Sequence, residues 1–249
     1  MNALVQWWDT NPITHLFFSL PAMKAAMPAI LKAFPVSIMF GLVSFLLAIP
    51  GGLTLSFMKM SKSRWLRWPA TIYVDVIRGT PLFLQILLVF FGLPLTPIYK
   101  TIVDAFALKQ YLFLGVDASI VWRGIMVLSL NSAAYMCEIF RAGIQSIPKG
   151  QSEAARSLGM TKTQTMAFVI LPQTVRRILP TMMSEFILLF KDTALLAAVS
   201  VAEMTLRAKE AAATSFNQSA YIAAACMYLV LTIPLGRFVS SLENRLAVQ

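Results

Sequence analysis

Long uncharged runs alternate with short basic interruptions along this chain. Ala33 to Met58 carries no charged residue and is longer than the ~20 apolar positions that a helix needs to cross a bilayer. Gly79 to Tyr99 is a second uncharged run, and Ile120 to Ile147 a third apolar stretch interrupted only by Arg123, Glu138 and Arg141. A fourth follows Arg176 and Arg177, and a fifth ends before Arg237. The pattern predicts an all-α integral membrane protein with five transmembrane helices, spanning about 33–58, 79–99, 120–147, 176–196 and 214–236. Pro35, Pro50, Gly51 and Gly52 are expected to kink the first span.

One stretch breaks the pattern. Residues 148–172, PKGQSEAARSLGMTKTQTMAFVILP, are polar and helix-prone between apolar neighbours. Pro148 suits a first helical position and Gly159 a helix stop. Thr161 with Gln164 three residues on forms a capping box, so a second helix is expected to start at once. Ala154, Ala155 and Leu158 are placed on one face of the short helix, with Glu153 and Arg156 able to pair at i,i+3. From Lys162 to Arg176 the apolar run is too short to span and is broken by Pro172, which predicts a helix lying against or partly within the membrane before the fourth span begins.

Charge gives the run order a direction. Lys59, Lys62, Arg64 and Arg67 follow the first span with Trp65 and Trp68 among them, as at a cytoplasmic interface. Lys149, Arg156 and Lys162 put the polar island on the same side, and Arg237 and Arg245 put the C-terminus there. The opposite connections are balanced, Lys100 and Lys109 against Asp104 and Asp117, and Arg207 and Lys209 against Glu203 and Glu210. The N-terminus is then outside, and the net charge of +10 reflects basic residues kept inside rather than a nucleic-acid surface. Residues 1–26 are expected to form an extracytoplasmic or interfacial segment ahead of a transmembrane domain over 27–249. With Lys24 the first lysine, no cleaved leader is expected; Trp7 and Trp8 either sit at the headgroups or belong to a loose tail.

Composition agrees, with 58% apolar and 13% charged residues. Cys137 and Cys226 lie in apolar runs and read as small hydrophobes, and a single histidine, His15, leaves no histidine-built metal site. No Walker-type phosphate loop, nucleophile elbow or HExxH occurs, so the chain is not expected to be an enzyme or to bind a cofactor of its own.

Ionisable groups within the spans mark candidate chemistry, because charge at membrane depth usually faces a bundle interior or an aqueous path. Asn131, Tyr135 and Glu138 share one face of the third span, and Thr181, Glu185 and Asp192 form a stripe on the fourth. A zwitterionic amino acid needs acceptors for its ammonium, which Glu185 or Asp192 can supply, and donors for its carboxylate, which Lys191 and Thr193 can supply. The plainer reading makes Glu138 with Arg141, Lys191 with Asp192, and Asp75 with Arg78 local ion pairs. That reading is preferred for Glu138, and the substrate path for Glu185.

Glu153-Ala154-Ala155, Gly159 and Leu171-Pro172 match the EAA motif of ABC-importer permeases, with Val169 where isoleucine is common. The chain resembles the polar amino acid permease family, with further matching segments at Tyr73–Gln85, Asn131–Ile144 and Ser184–Leu196. The resemblance implies a five-helix core of the MetI-like kind and a second permease subunit, identical or sister. It also implies two ATPase subunits that hold ATP and Mg, and an extracytoplasmic amino-acid-binding protein. Glu153, Ala154, Ala155, Leu158 and Gly159 would seat in a groove of the ATPase, and the Glu185 segment would contact cargo. Ser184 and Ala194 stand where the family commonly has asparagine and serine. The expected function is uptake of a polar amino acid, with a lean towards basic cargo from Glu185 and Asp192, across the cytoplasmic membrane. The rival is a stand-alone ion-coupled carrier or channel using the same carboxylates, which leaves 148–172 unexplained.

Overall fold

A computed structural model describes residues 11–106 and 108–247, so Trp7 and Trp8 lie outside the described residues. The elements are α1 (Pro12–Phe17), α2 (Leu20–Met60), α3 (Arg64–Gly79), α4 (Leu82–Leu87, prolonged by wider and tighter turns to Leu95) and α5 (Pro97–Ala105). After a two-residue hairpin, β1 (Leu112–Phe113) with β2 (Val116–Asp117), come α6 (Ala118–Gln145) and α7 (Lys149–Ser157). A turn of helix at Lys162–Gln164 then leads into α8 (Leu171–Asp192), followed by α9 (Met204–Ser215) and α10 (Ser219–Ala247).

The all-α membrane fold expected from the run pattern is what forms. Among the described residues, Pro12–Met60, Ala118–Gln145 and Ser219–Asn244 are long and apolar enough to cross a membrane, and Arg64–Gly79 with Leu82–Leu95 adds a fourth if its break is only a bend. Helix α8, with several charges, does not pass on composition. The uncharged run from Gly79 therefore begins at a break rather than at a helix start. Thr80 precedes Pro81, whose ring excludes helical backbone before it, and it sits extended at φ −118 and ψ 144. The helix before the break reaches back to Arg64. The expected kinks of the first span do not interrupt it: α2 runs unbroken through Pro35 and Pro50.

The described residues divide into two compact units: 11–42 with 85–126 and 190–234, and 43–84 with 127–189 and 235–247. In the first, Ala26, Ile30 and Ala33 of α2 pack with Phe190, with Met204, Ala208 and Ala212 of α9, and with Ala220, Ala223 and Ala224 of α10. Such small side chains let helices approach closely where lipid gives no hydrophobic drive. The N-terminal segment is not a loose tail where it is described. Asn217 Nδ2 donates to the His15 carbonyl at 2.8 Å, and the Ser19 amide donates to Ser219 Oγ at 2.8 Å, tying α1 and the start of α2 to the start of α10.

In the second unit close approach is made by glycine. A Cβ on Gly52 would stand 2.9 Å from the Met136 carbonyl carbon, so α2 and α6 nearly touch backbones there. Gly143 plays the same part between α6 and α8, against Thr174 and Ile178. Val74, Ala134 and Cys137 make a small core that also holds α3, and Cys137 is a free, buried thiol as its apolar setting predicts. Cys226 is free too, and exposed.

Candidate functional sites: the coupling loop and the intramembrane charges

The polar island folds as a helix, a turn and a returning helix. Pro148 is the N-cap residue of α7, one place earlier than its expected first-turn position. Gly159 takes φ +84, a backbone state open to glycine at little cost, and the Met160 amide donates to the Ala155 carbonyl at 3.2 Å to close the helix end. Thr161 and Gln164 form the capping box as expected, with the Thr161 amide donating to Gln164 Oε1 at 2.8 Å. The chain then passes through a wide π turn at Thr165–Ile170 straight into α8. The separate membrane-surface helix expected before Arg176 is therefore absent. Pro172 opens no gap, because the widened turn before it absorbs both its missing N–H and its ring.

The three apolar positions of α7 do not share one fate. Ala155 is buried, whereas Ala154 is exposed and Leu158 is 85% exposed. Residues 154 and 158, one turn apart, thus form the outward surface with exposed Glu153, while Ala155 seats α7 on its own protein. The expected Glu153–Arg156 ion pair is not among the salt bridges of the described residues, so both side chains remain at the surface. Beneath α7 a cavity of about 450 Å³ is lined by Met60, Ile144, Ile147, Lys149, Ser152 and Met166, among others.

The charges of the second unit meet in a chain. Lys59 Nζ lies 2.7 Å from Glu138 Oε1 and 3.6 Å from Asp75 Oδ1, and Arg141 Nε donates to Glu138 Oε2 at 2.9 Å. Glu138 is thus held by two cations, one of them the Arg141 partner expected from spacing. Asp75 and Arg78 do not pair: Asp75 faces Lys59, and the Arg78 guanidinium sits 5.3 Å from the ring centroid of Tyr135. A helix puts i and i+3 near each other, but Lys59 and Tyr135 on neighbouring helices offered better partners. Glu138 and Thr181 line one open groove of about 430 Å³ with Gly143, Ser146, Arg177 and Ile178. Glu185 Oε1 accepts a hydrogen bond from Ser132 Oγ at 2.9 Å, next to buried Asn131.

Lys191, Asp192 and Thr193 lie in the first unit. Lys191 is exposed, Asp192 half-buried, and no salt bridge joins them among the described residues. Adjacent residues on a helix point in different directions, which explains the missing pair. Thr193 is fully buried and its hydroxyl donates to the Phe190 carbonyl at 2.7 Å, so its proton is already used by the backbone.

Spacing did not mark several polar partners. The sequence marks Lys59 only as one more interfacial cation and gives Ser132 no role; their neighbours in space do. Glu203 looked like half of a balanced outer pair. Instead it is fully buried at the N-cap of α9, accepting from the Leu206 amide at 2.7 Å and from the Tyr228 hydroxyl at 3.0 Å. Burial pushes its carboxyl above the ordinary range, against the opposing pull of those hydrogen bonds. Asp117 goes the other way: slight burial is outweighed by the Ser119 hydroxyl and amide, the latter at 2.7 Å, which hold its carboxyl below the usual range at the start of α6.

A predominantly helical membrane chain with half-buried charges within its spans and a polar helix–turn–helix insertion is the build of a membrane transport component. Comparison places it within that class. Residues 48–248 match the family described as binding-protein-dependent transport system inner membrane component, and the chain belongs to that family. It is 35% identical over 221 residues to the arginine transport system permease protein ArtQ of Bacillus subtilis (strain 168), covering 88% of this chain and 93% of ArtQ. It is 36% identical over 207 residues to the L-cystine transport system permease protein TcyB of the same organism, covering 82% of this chain and 81% of TcyB. A crystal structure of an amino acid ABC transporter with histidines superposes with a TM-score of 0.75 at 32% identity, covering 91% of this chain and 98% of that one. The chain is an amino acid ABC transporter permease, a membrane-spanning protein rather than an enzyme.

Proposed function

We propose that this permease carries a polar amino acid, preferentially a basic one, inward across the cytoplasmic membrane, with its N-terminus outside and its C-terminus in the cytoplasm. Two ATPase subunits holding ATP and Mg supply the drive, a second permease subunit completes the path, and an extracytoplasmic amino-acid-binding protein delivers cargo. The observation that carries this reading is the surface of α7, where exposed Glu153, Ala154 and Leu158 stand on a helix fastened by buried Ala155 and turned back by Gly159. A rigid docked helix joined to α6 and α8 can pass a displacement of the ATPases into the membrane. The preference for basic cargo is supported by Glu185 within α8 and by the arginine system to which ArtQ belongs. Glu138 contributes less to it, since Lys59 and Arg141 already neutralise its charge.

Glu153→Lys and Gly159→Pro separate coupling from assembly. Both variants are expected to reach the membrane and bind their partners while uptake falls by about tenfold or more, since a lost coupling interaction of a few kcal/mol is worth at least that. Uptake and ATPase stimulation measured on the same reconstituted complex check this; normally coupled uptake in both variants refutes the role of α7.

A further inference from the structure

Between Asp9 and Asp75 the chain has no acidic residue, and beyond Lys24 and Lys32 the lysines and arginines of this interval, Lys59, Lys62, Arg64 and Arg67, gather at the junction of α2 and α3. Asp75 is turned to Lys59 at 3.6 Å. Lys62, Arg64 and Arg67 are exposed, and none of the four salt bridges among the described residues includes them. Beside them Arg64, Trp65, Trp68 and Pro69 line a groove of about 540 Å³. Trp65 is 90% and Trp68 69% exposed, and at i,i+3 they stand on one face of α3. Such a wall is apolar in area but offers guanidinium and indole N–H donors at its edge. It lies six residues beyond Met58, the end of the uncharged stretch of α2, where Trp and basic residues together mark an interface.

We infer that this groove is a binding site for an anionic phospholipid, whose phosphodiester lies against Arg64 with Lys62 and Arg67 and whose upper acyl chain lies along Trp65, Trp68 and Pro69. Charge complementarity selects the class: cations without acidic partners exclude a cationic or zwitterionic headgroup as the preferred occupant, and the indole wall requires an apolar chain joined to the anion. A free phosphate satisfies only half of the site. Each basic residue near an anionic surface contributes about 1 kcal/mol, or roughly fivefold in affinity.

Native mass spectrometry of the intact detergent-solubilised transporter complex, titrated with phosphatidylglycerol and with phosphatidylcholine, tests the site. Wild type is expected to retain phosphatidylglycerol over phosphatidylcholine. Arg64→Gln with Arg67→Gln is expected to lower phosphatidylglycerol retention by about 30-fold, and Arg64→Lys with Arg67→Lys to preserve most of it. Trp65→Ala with Trp68→Ala is expected to weaken retention of both lipids. Unchanged phosphatidylglycerol retention in the glutamine variant overturns the proposal, as does displacement of the lipid by millimolar inorganic phosphate. A photo-crosslinker replacing Trp65 in an otherwise native complex decides the matter even where the double variants fail to assemble. Lipid adducts support the site, and adducts to an ATPase or to a second permease subunit replace it with a protein interface.

Discussion

Glu203 shows how a single buried group ties stability to pH. Its folded-state carboxyl is raised above the ordinary 4.5 by burial, so the folded protein holds this proton more tightly than the unfolded chain. The stabilisation is fully present below about pH 4.5 and is lost as pH rises from there through the raised folded value. Glu203→Gln keeps an acceptor oxygen for the Leu206 amide, places an N–H donor against the Tyr228 hydroxyl oxygen and removes the charge. Melting temperatures across pH 4.5 to 8 are expected to fall less with rising pH in this variant than in wild type; parallel curves would show that Glu203 is not the linked group. Glu138 is a contrasting case, because its charge is wanted. Lys59 and Arg141 both depend on it, and their side chains are 18% and 34% exposed. Glu138→Gln is expected to cost about 2 kcal/mol, between the values for exposed and for fully buried pairs. A Lys59→Met, Glu138→Gln double variant should cost less than the sum of the two single changes, and thermal unfolding in detergent measures both.

At the scale of elements, helix ends and capping were readable from sequence because they depend on residues a few positions apart. Gly159, Thr161 and Gln164 do locally what their chemistry dictates. Pairings between elements were not readable. Asp75 and Arg78 look like an i,i+3 pair in sequence, yet each prefers a partner on another helix. The stretch from Lys162 to Arg176 suggests a helix of its own ahead of the fourth span, because spacing cannot show that a π turn absorbs Pro172 and joins it to α8. Close helix contacts give a testable contrast between neighbouring glycines. A Cβ on Gly51 meets only the Ala133 Cβ at 3.3 Å, whereas one on Gly52 meets Met136 backbone at 2.9 Å. Gly52→Ala is expected to destabilise by about 1–3 kcal/mol through forced backbone separation, and Gly51→Ala by well under half of that. Thermal unfolding of the two purified variants decides it, and equal melting points would mean that the α2–α6 contact is looser than it looks.

For the whole molecule the question is cargo. If Glu185 contributes to recognition, Glu185→Gln keeps the Ser132 hydrogen bond but removes a charge-assisted contact, which is expected to lower the arginine-to-glutamine uptake ratio about tenfold. Competing labelled arginine, lysine, histidine and glutamine in uptake assays measures this, and an unchanged preference removes Glu185 from recognition. The class of protein is legible in the sequence, since long uncharged runs force helices in a bilayer and the EAA spacing in 148–172 is specific. Membrane-length helices, their basic interruptions and the polar helix–turn–helix island with its Gly159 turn are properties of the sequence by itself, because each follows from the bilayer or from residues within a turn of one another. Which charges neutralise each other was decided by the tertiary structure. Lys59 and Glu138 are far apart in the chain, and only packing brings a half-buried charge to the partner that makes its burial tolerable.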